Sequence, residues 1–302
     1  MEYVLETERL TKRYRRFTAL DGLNMHVERG AIYGFVGRNG AGKTTLIRLI
    51  SGLQNPTQGL YRLYGTPHSH RGIYAARRPM GSIVETPSLY PGLTAYDNMA
   101  LQYDCLGLPS YAGIKETLRF VGLHDTGSKK AKDFSLGMRQ RLGIAVALCG
   151  NPDFLVLDEP INGLDPQGIV EVRELILRLN REHETTILIS SHILGELSKL
   201  ATHYGFVDRG RVVRELSAEE LERACRKCVR VQVTDTGALS RLLDRMRVEY
   251  KIVSDSEAEI YGEISVTRLV MGLAEQGAEL ITMHEHDEDL ETYFINLVGG
   301  AV

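Results

Sequence analysis

The sequence predicts an α/β fold built on a parallel sheet, interrupted by a helical insert and followed by a smaller α+β domain. Three observations carry this. Phe154 to Leu157 and Thr186 to Ile189 are short continuous apolar runs on either side of a helical stretch, Ile169 to Arg181, the pattern of a βαβ unit whose strands are buried on both faces. Ala31 to Val36 is another such run; it ends in a Gly-rich turn and continues into Thr45 to Ser51, whose apolar spacing suits a helix. Near Ser217 the composition shifts to a charged helical stretch followed by strand alternation, which marks a second domain.

Taken in order, the first domain is expected over residues 1–216. Within it, helical patterns dominate from Thr94 to Cys149, broken at Gly107 to Pro109 and around Gly127 to Lys130, so a helical insert is expected at about 94–150. The second domain, 217–302, reads as helix Ala218 to Lys227, strand Val229 to Val233, helix Ala238 to Met246 and strands Tyr250 to Val253 and Ala258 to Ile264. Helix Val266 to Gln276 and strand Leu280 to His284 complete it.

A chain of 302 residues with 43% hydrophobic and 25% charged residues can bury a core in each domain, which excludes disordered and disulfide-scaffold classes. No stretch reaches the roughly 18 apolar residues of a bilayer span, and Met1 to Leu10 has neither a basic start nor an apolar signal core. A soluble, cytoplasmic chain is expected. The net charge of −3 offers no long-range attraction for nucleic acid, and no nucleic-acid partner is expected. The local basic run Lys12, Arg13, Arg15 and Arg16 reads as a solvated loop or strand edge. Cys105, Cys149, Cys225 and Cys228 are too few and too scattered to frame the fold, and the Cys225/Cys228 pair lacks the further ligands that zinc needs.

The chemistry is concentrated at three strand ends. Gly37, Arg38, Asn39, Gly40, Ala41, Gly42, Lys43 and Thr44 match the P-loop spacing, with Thr45 next in line. Glycines at 37, 40 and 42 let successive backbone N–H groups converge on a phosphate, and the following helix adds its positive N-terminal end. Lys43 reaches the β- and γ-phosphates, and Thr44 offers a hydroxyl to Mg²⁺, a hard ion that prefers oxygen. The run ending in Asp158 and Glu159 places two carboxylates where an Mg²⁺ ligand and a water-polarising base are needed. His192 follows the next apolar run, at the end of a parallel strand where open α/β sheets bind ligands.

These motifs, with Asn162, Gly163, Leu164, Asp165 and Pro166 after the carboxylates, resemble the nucleotide-binding subunits of ATP-binding cassette (ABC) transporters over about residues 1–215. Phe134 to Arg141 stands in the place of that family's Leu-Ser-Gly-Gly-Gln signature. The resemblance implies an α/β P-loop NTPase domain of ABC type with its helical insert, plus a small C-terminal α+β domain, and an ATP hydrolase with ATP and Mg²⁺ as cofactors. It implies that Tyr14 stacks on adenine, and that Ser135 and Gly137 contact the γ-phosphate bound by a second subunit in a head-to-tail dimer. Asp165 would link the two sites, Glu159 would polarise the attacking water, and His192 would hold that water and the γ-phosphate in line. Thr44 and Asp158 would serve the metal.

Two departures matter. Leu136 and Met138 replace Gly and Gln in the signature, and Glu85 stands where the family has an Mg²⁺-contacting Gln, keeping an oxygen but adding a negative charge. The Glu85 to Pro91 context and the segment Ser135 to Gly143 are similar to the bacitracin and lantibiotic export ATPases of bacteria. That similarity implies a subunit held at the inner face of the cell membrane by a separate membrane-spanning permease, paired with a second nucleotide-binding domain of the same or another chain, and exporting a peptide antibiotic. Residues 86–98 would lie near the groove that receives a helix of the permease. The alternatives are a non-transport ABC ATPase acting on ribosomes or DNA, an exporter of another small molecule, and a nucleotide-binding regulator without turnover. Asp289 to Leu297 resembles the last helix of many export subunits, and the C-terminal domain reads as a packing or dimer-stabilising appendage. His284, His286 and Asp287 read as solvent-facing, without a metal.

Overall fold

Where the sequence runs apolar without a break, the chain forms the centre of a six-stranded sheet. In a computed structural model, which describes residues 3–225, 228–262, 264–286 and 290–299, Ile32–Gly37, Phe154–Asp158 and Thr186–Ser191 are buried at every position. Met1, Lys227, Asp287 and Asp289, named in the sequence reading, lie outside the described residues. Across the sheet the order is Arg211–Ser217, His203–Asp208, Ile32–Gly37, Thr186–Ser191, Phe154–Asp158 and Met80–Ile83. Every neighbouring pair is parallel except Arg211–Ser217, which is an antiparallel edge. The register sets Asp158 beside Ser190 and Val36 beside Ser191, so Gly37, Asp158 and Ser191 end at one edge of the sheet. Ligands bind at that edge in open parallel sheets.

A second, antiparallel sheet, in the order Phe17–Glu28, Tyr3–Tyr14, Gln58–Leu63, Thr66–Pro67, is not among the sequence expectations. Bulges explain why. The pairing of Tyr3–Tyr14 with Phe17–Glu28 slips at several points, and Arg9 has φ +46°, so the alternation of apolar and polar residues never runs long enough to read as a strand. Leu5, Leu10, Leu23 and Met25 of this sheet form one buried cluster with Phe35, Val156 and Leu188 of the central strands and with Leu46, Ile47, Leu49 and Ile50 of the helix Lys43–Ile50. That helix is therefore fixed on both sides, and the turn leading into it is fixed with it.

The long helix Pro166–His183 extends beyond the expected 169–181 because Asp165 accepts from the Gly168 N–H as its N-cap and Pro166 stands at the first helical position. The insert holds Ala95–Leu106, Ile114–Phe120 and Leu136–Ala147. A reciprocal Thr94/Asp97 capping box starts the first of these, and Gly107 in the left-handed conformation ends it.

The chain divides into two compact units, Met1–Ala218 and Glu219–Val302. In the second, strands Cys228–Val233, Glu249–Ile252, Glu257–Tyr261 and Leu280–His286 alternate with helices Thr236–Met246 and Val266–Ala274 as β-α-β-β-α-β. Cys228–Val233 pairs antiparallel with both Glu257–Tyr261 and Leu280–His286, and Glu249–Ile252 takes the outer edge. This is the ferredoxin-like split βαβ arrangement. Val231, Val233, Ala258 and Ile260 pack on Leu239, Leu243, Leu269 and Leu273 of the helices. Their strand neighbours Arg230 and Glu259 point the other way and pair at 2.6 Å. The strand expected to reach Ile264 stops at Tyr261, where Gly262 turns at φ +122°. Among the described residues no helix is long and apolar enough to cross a membrane.

Candidate functional site

The strand Ile32–Gly37 enters the helix Lys43–Ile50 through a turn that only glycine accommodates at two points. Gly40 and Gly42 have φ of +83° and +108°. A Cβ on Gly42 would lie 2.5 Å from the Ala19 carbonyl oxygen, whereas one on Gly40 would meet open space. Gly42 caps the helix without a side chain, which leaves the helix N-terminus available to an anion. Asn39, Gly40, Gly42, Lys43, Thr44 and Thr45 line one side of a cavity of about 480 Å³. Lys43 is 6% exposed; its ammonium donates to the Gly37 carbonyl at 2.7 Å and the Arg38 carbonyl at 3.4 Å, and stands 3.3 Å from Glu159 Oε1.

The two neighbouring strand ends supply the other side. Asp158 is 1% exposed and accepts from the Ser190 hydroxyl at 2.5 Å and from the Glu85 N–H at 3.3 Å. Glu159 has φ +50°, and its N–H donates to both the carbonyl (3.1 Å) and the hydroxyl (3.0 Å) of Ser190, which turns its side chain into the cavity. Backbone in this region costs energy and is found where neighbours over-determine it. The Nδ1 of His192 lies 2.8 Å from Glu159 Oε2. A carboxylate only accepts, so Nδ1 carries the hydrogen and Nε2 is left to a further partner. Glu159, Asn162 and His192 all line the cavity.

One carboxylate is thus held between an ammonium and an imidazole, beside two hydroxyls and a glycine cradle. Such a site can bind a polyphosphate and hold a water against it. Thr44 and the buried Asp158 supply oxygen donors of the kind Mg²⁺ takes.

Other expected residues lie elsewhere. Ser135 caps the helix Leu136–Ala147, accepting from the Met138 N–H at 3.2 Å, and Asp165 caps Pro166–His183; both are exposed and neither lines the cavity. Gly137 lies beside that second helix, since a Cβ on it would stand 3.7 Å from the Gly168 Cα. The Glu85 carboxylate, at φ +63° and 56% exposed, pairs with Arg48. Tyr14 donates its hydroxyl to Gln54 and is absent from the cavity wall, which Phe17 and Ala19 complete. Sequence reasoning missed Phe17, Ser190 and Arg48, although the run Ile189, Ser190, Ser191, His192 already carried the hydroxyl beside the imidazole.

A glycine cradle at the end of a parallel strand, with an imidazole after the adjacent strand and two carboxylates at the end of the strand beyond it, defines a nucleotide-binding P-loop protein. The model of the ABC transporter family matches residues 20–162. The bacitracin transport ATP-binding protein BcrA of Enterococcus faecalis is 41% identical over 303 residues, which cover 100% of this chain and 98% of that protein. The lantibiotic transport ATP-binding protein SrtF of Streptococcus pyogenes is 43% identical over 212 residues, 70% of this chain and 90% of that protein. Among solved structures, the ADP conformation of MJ1267, an ATP-binding cassette of an ABC transporter, has a TM-score of 0.67 at 26% identity and covers 74% of this chain and 94% of that one. The chain belongs to the ATP-binding proteins of ABC transporters, and it is an ATP-hydrolysing subunit of such a transporter.

Proposed function

We propose that this subunit hydrolyses Mg-ATP in a dimer of nucleotide-binding domains to drive export of a peptide antibiotic through a separate membrane-spanning permease, which holds it at the cytoplasmic face of the membrane. The observation that carries hydrolysis is the Glu159 carboxylate, held at 3.3 Å from Lys43 and 2.8 Å from His192 in one cavity. The backbone from Gly37 to Thr45 and the Lys43 ammonium bind the phosphates. Glu159 polarises the attacking water, and the unengaged Nε2 of His192 holds that water or the γ-phosphate in line. Thr44 and Asp158 would hold Mg²⁺, with Glu85 as a further oxygen, and the ion would supply neutralisation of phosphate charge. Ser135, Gly137 and Asp165 serve the site of the second subunit, in keeping with the exposure of Ser135 and Asp165 outside this chain's own cavity.

The substrate class rests on likeness to BcrA along the whole chain and to SrtF over 70% of it. Affinity purification of the tagged protein from its native cells in mild detergent tests the assembly. A multi-span membrane protein is expected to co-purify, with ATPase activity lost in Glu159→Gln, and cells lacking the chain become more sensitive to peptide antibiotics. Ribosomes or DNA in place of the membrane protein would overturn the transport assignment.

A further inference from the structure

Between the two carboxylates of the site stands a serine that has no part in the hydrolysis described so far. Ser190 lies near the end of Thr186–Ser191, level with Asp158 on the neighbouring parallel strand, and is fully buried. Its hydroxyl donates to Asp158 Oδ1 at 2.5 Å and accepts from the Glu159 N–H at 3.0 Å. The direction of this chain of bonds is fixed, because an amide N–H only donates and a carboxylate only accepts. At 0% exposure the hydroxyl has no bulk water to compete with. Glu159 is held at φ +50°, a conformation that persists only where neighbours impose it. Its N–H has a second acceptor, the Ser190 carbonyl at 3.1 Å, but it is the hydroxyl that connects Glu159 to Asp158.

We infer that Ser190 is a positioning residue for hydrolysis: its hydroxyl ties the buried Asp158 carboxylate to the backbone of Glu159 and so sets the two acidic residues as one unit. The inference rests on the proposed role of Glu159 as the group that polarises water. Ser190 does not line the cavity, so it acts through Glu159 and leaves the binding of the phosphates to Gly37 to Thr45. Removing the hydroxyl therefore separates turnover from nucleotide affinity, which the loss of a phosphate contact would not do.

The test compares the full chain with Ser190→Ala, Ser190→Thr, Glu159→Gln and the double variant Ser190→Ala/Glu159→Gln. Phosphate release by Ser190→Ala is expected to fall about tenfold in kcat, the order expected when one hydrogen bond to a charged group is lost. Its ATP affinity, titrated in Mg²⁺-free buffer, stays within about twofold of the parent. Ser190→Thr, which keeps a hydroxyl and suits a strand, stays within about threefold in kcat. The double variant is no more than about twofold slower than Glu159→Gln alone, because the serine has nothing left to position. Without nucleotide or metal, the Glu159 amide exchanges its hydrogen about fivefold faster in Ser190→Ala, read by NMR. The assignment is overturned by a kcat of Ser190→Ala within twofold of the parent, by losses that multiply in the double variant, or by equal losses in Ser190→Thr and Ser190→Ala. Failure of Ser190→Ala to fold would make the hydroxyl a structural one and overturn it as well. Each of these results leaves Glu159 standing if Glu159→Gln is itself inactive. A Glu159→Gln variant that keeps its kcat within tenfold would instead sink the role of Glu159, and that of Ser190 with it.

Discussion

Replacing Glu159 by Gln removes one negative charge from the cavity and leaves the shape of the side chain unchanged. The backbone that aims it is held by two hydrogen bonds from its N–H to Ser190 and does not depend on the carboxylate, so the position is expected to persist. At 3.3 Å from Lys43, with an effective dielectric constant of about 20, the carboxylate attracts the ammonium by about 5 kcal/mol before desolvation is counted. That attraction competes with any phosphate for the same ammonium. Two consequences follow from a single change. The proposed water-polarising group is lost, which lowers kcat by about 10² to 10⁴-fold, or about 3 to 5 kcal/mol of barrier. The ammonium, still held by the Gly37 carbonyl at 2.7 Å, is released toward the ligand, so ATP affinity stays the same or tightens. Phosphate release under multiple turnover gives the first quantity and equilibrium titration with ATP the second. A kcat within tenfold of the parent, or a loss of affinity that accounts for the whole drop in kcat/KM, would refute this reading of Glu159.

Other predictions concern charges and thiols around the site. Glu85→Gln frees Arg48 and removes a negative charge from the segment that faces Asp158; the Mg²⁺ concentration for half-maximal activity is expected to rise roughly two- to fivefold. Both partners are over a third exposed, so stability changes by less than about 1 kcal/mol. An unchanged Mg²⁺ titration would mean that the carboxylate stays with Arg48 throughout. The carboxyl of Glu196 is held below its ordinary range by the Lys199 ammonium at 2.6 Å and the Arg173 guanidinium at 2.7 Å. A carboxyl depressed on folding stabilises the chain above its unfolded value of 4.5, and the gain is lost as pH falls through the lower folded value. Glu196→Gln therefore costs about 1 kcal/mol in urea melts at neutral pH, and the difference from the parent shrinks as pH falls below 4.5. Burial pushes the Cys149 thiol up to about 12, whereas Cys105 is exposed. Iodoacetamide at neutral pH is expected to label Cys105 and to reach Cys149 only after unfolding, which peptide mapping resolves.

What the sequence made legible follows from where signals are local. The P-loop, the Asp158–Glu159 strand end and His192 each sit at the end of an unbroken apolar run, and a buried parallel strand leaves that pattern whatever its neighbours are. The N-terminal sheet was hidden because its bulges, with Arg9 at φ +46°, interrupt the alternation. In the C-terminal unit the order of helices and strands could be read, but not which strands pair, since pairing is set by contacts between residues far apart in the chain. The same limit explains Phe17, Ser190 and Arg48. An exposed Phe beside a basic run looks like any surface residue until the hairpin folds over Gly42, and Arg48 meets Glu85 across a separation of 37 residues.

Ser135 and Asp165 both stand exposed at helix starts outside the cavity around Lys43. Both side chains are occupied with their own helices, at 3.2 Å and 3.1 Å from backbone N–H groups, yet a capping hydroxyl or carboxylate retains lone pairs for another donor. The two helix starts lie against each other at Gly137 and Gly168. The first turn of Leu136–Ala147 contains no acidic residue, and its Ser135 cap is exposed. An anion is what such an end accepts. The cavity around Lys43 is lined by other residues. In the head-to-tail pair proposed above, each Lys43–Glu159–His192 cavity would meet the opposite chain's helix end.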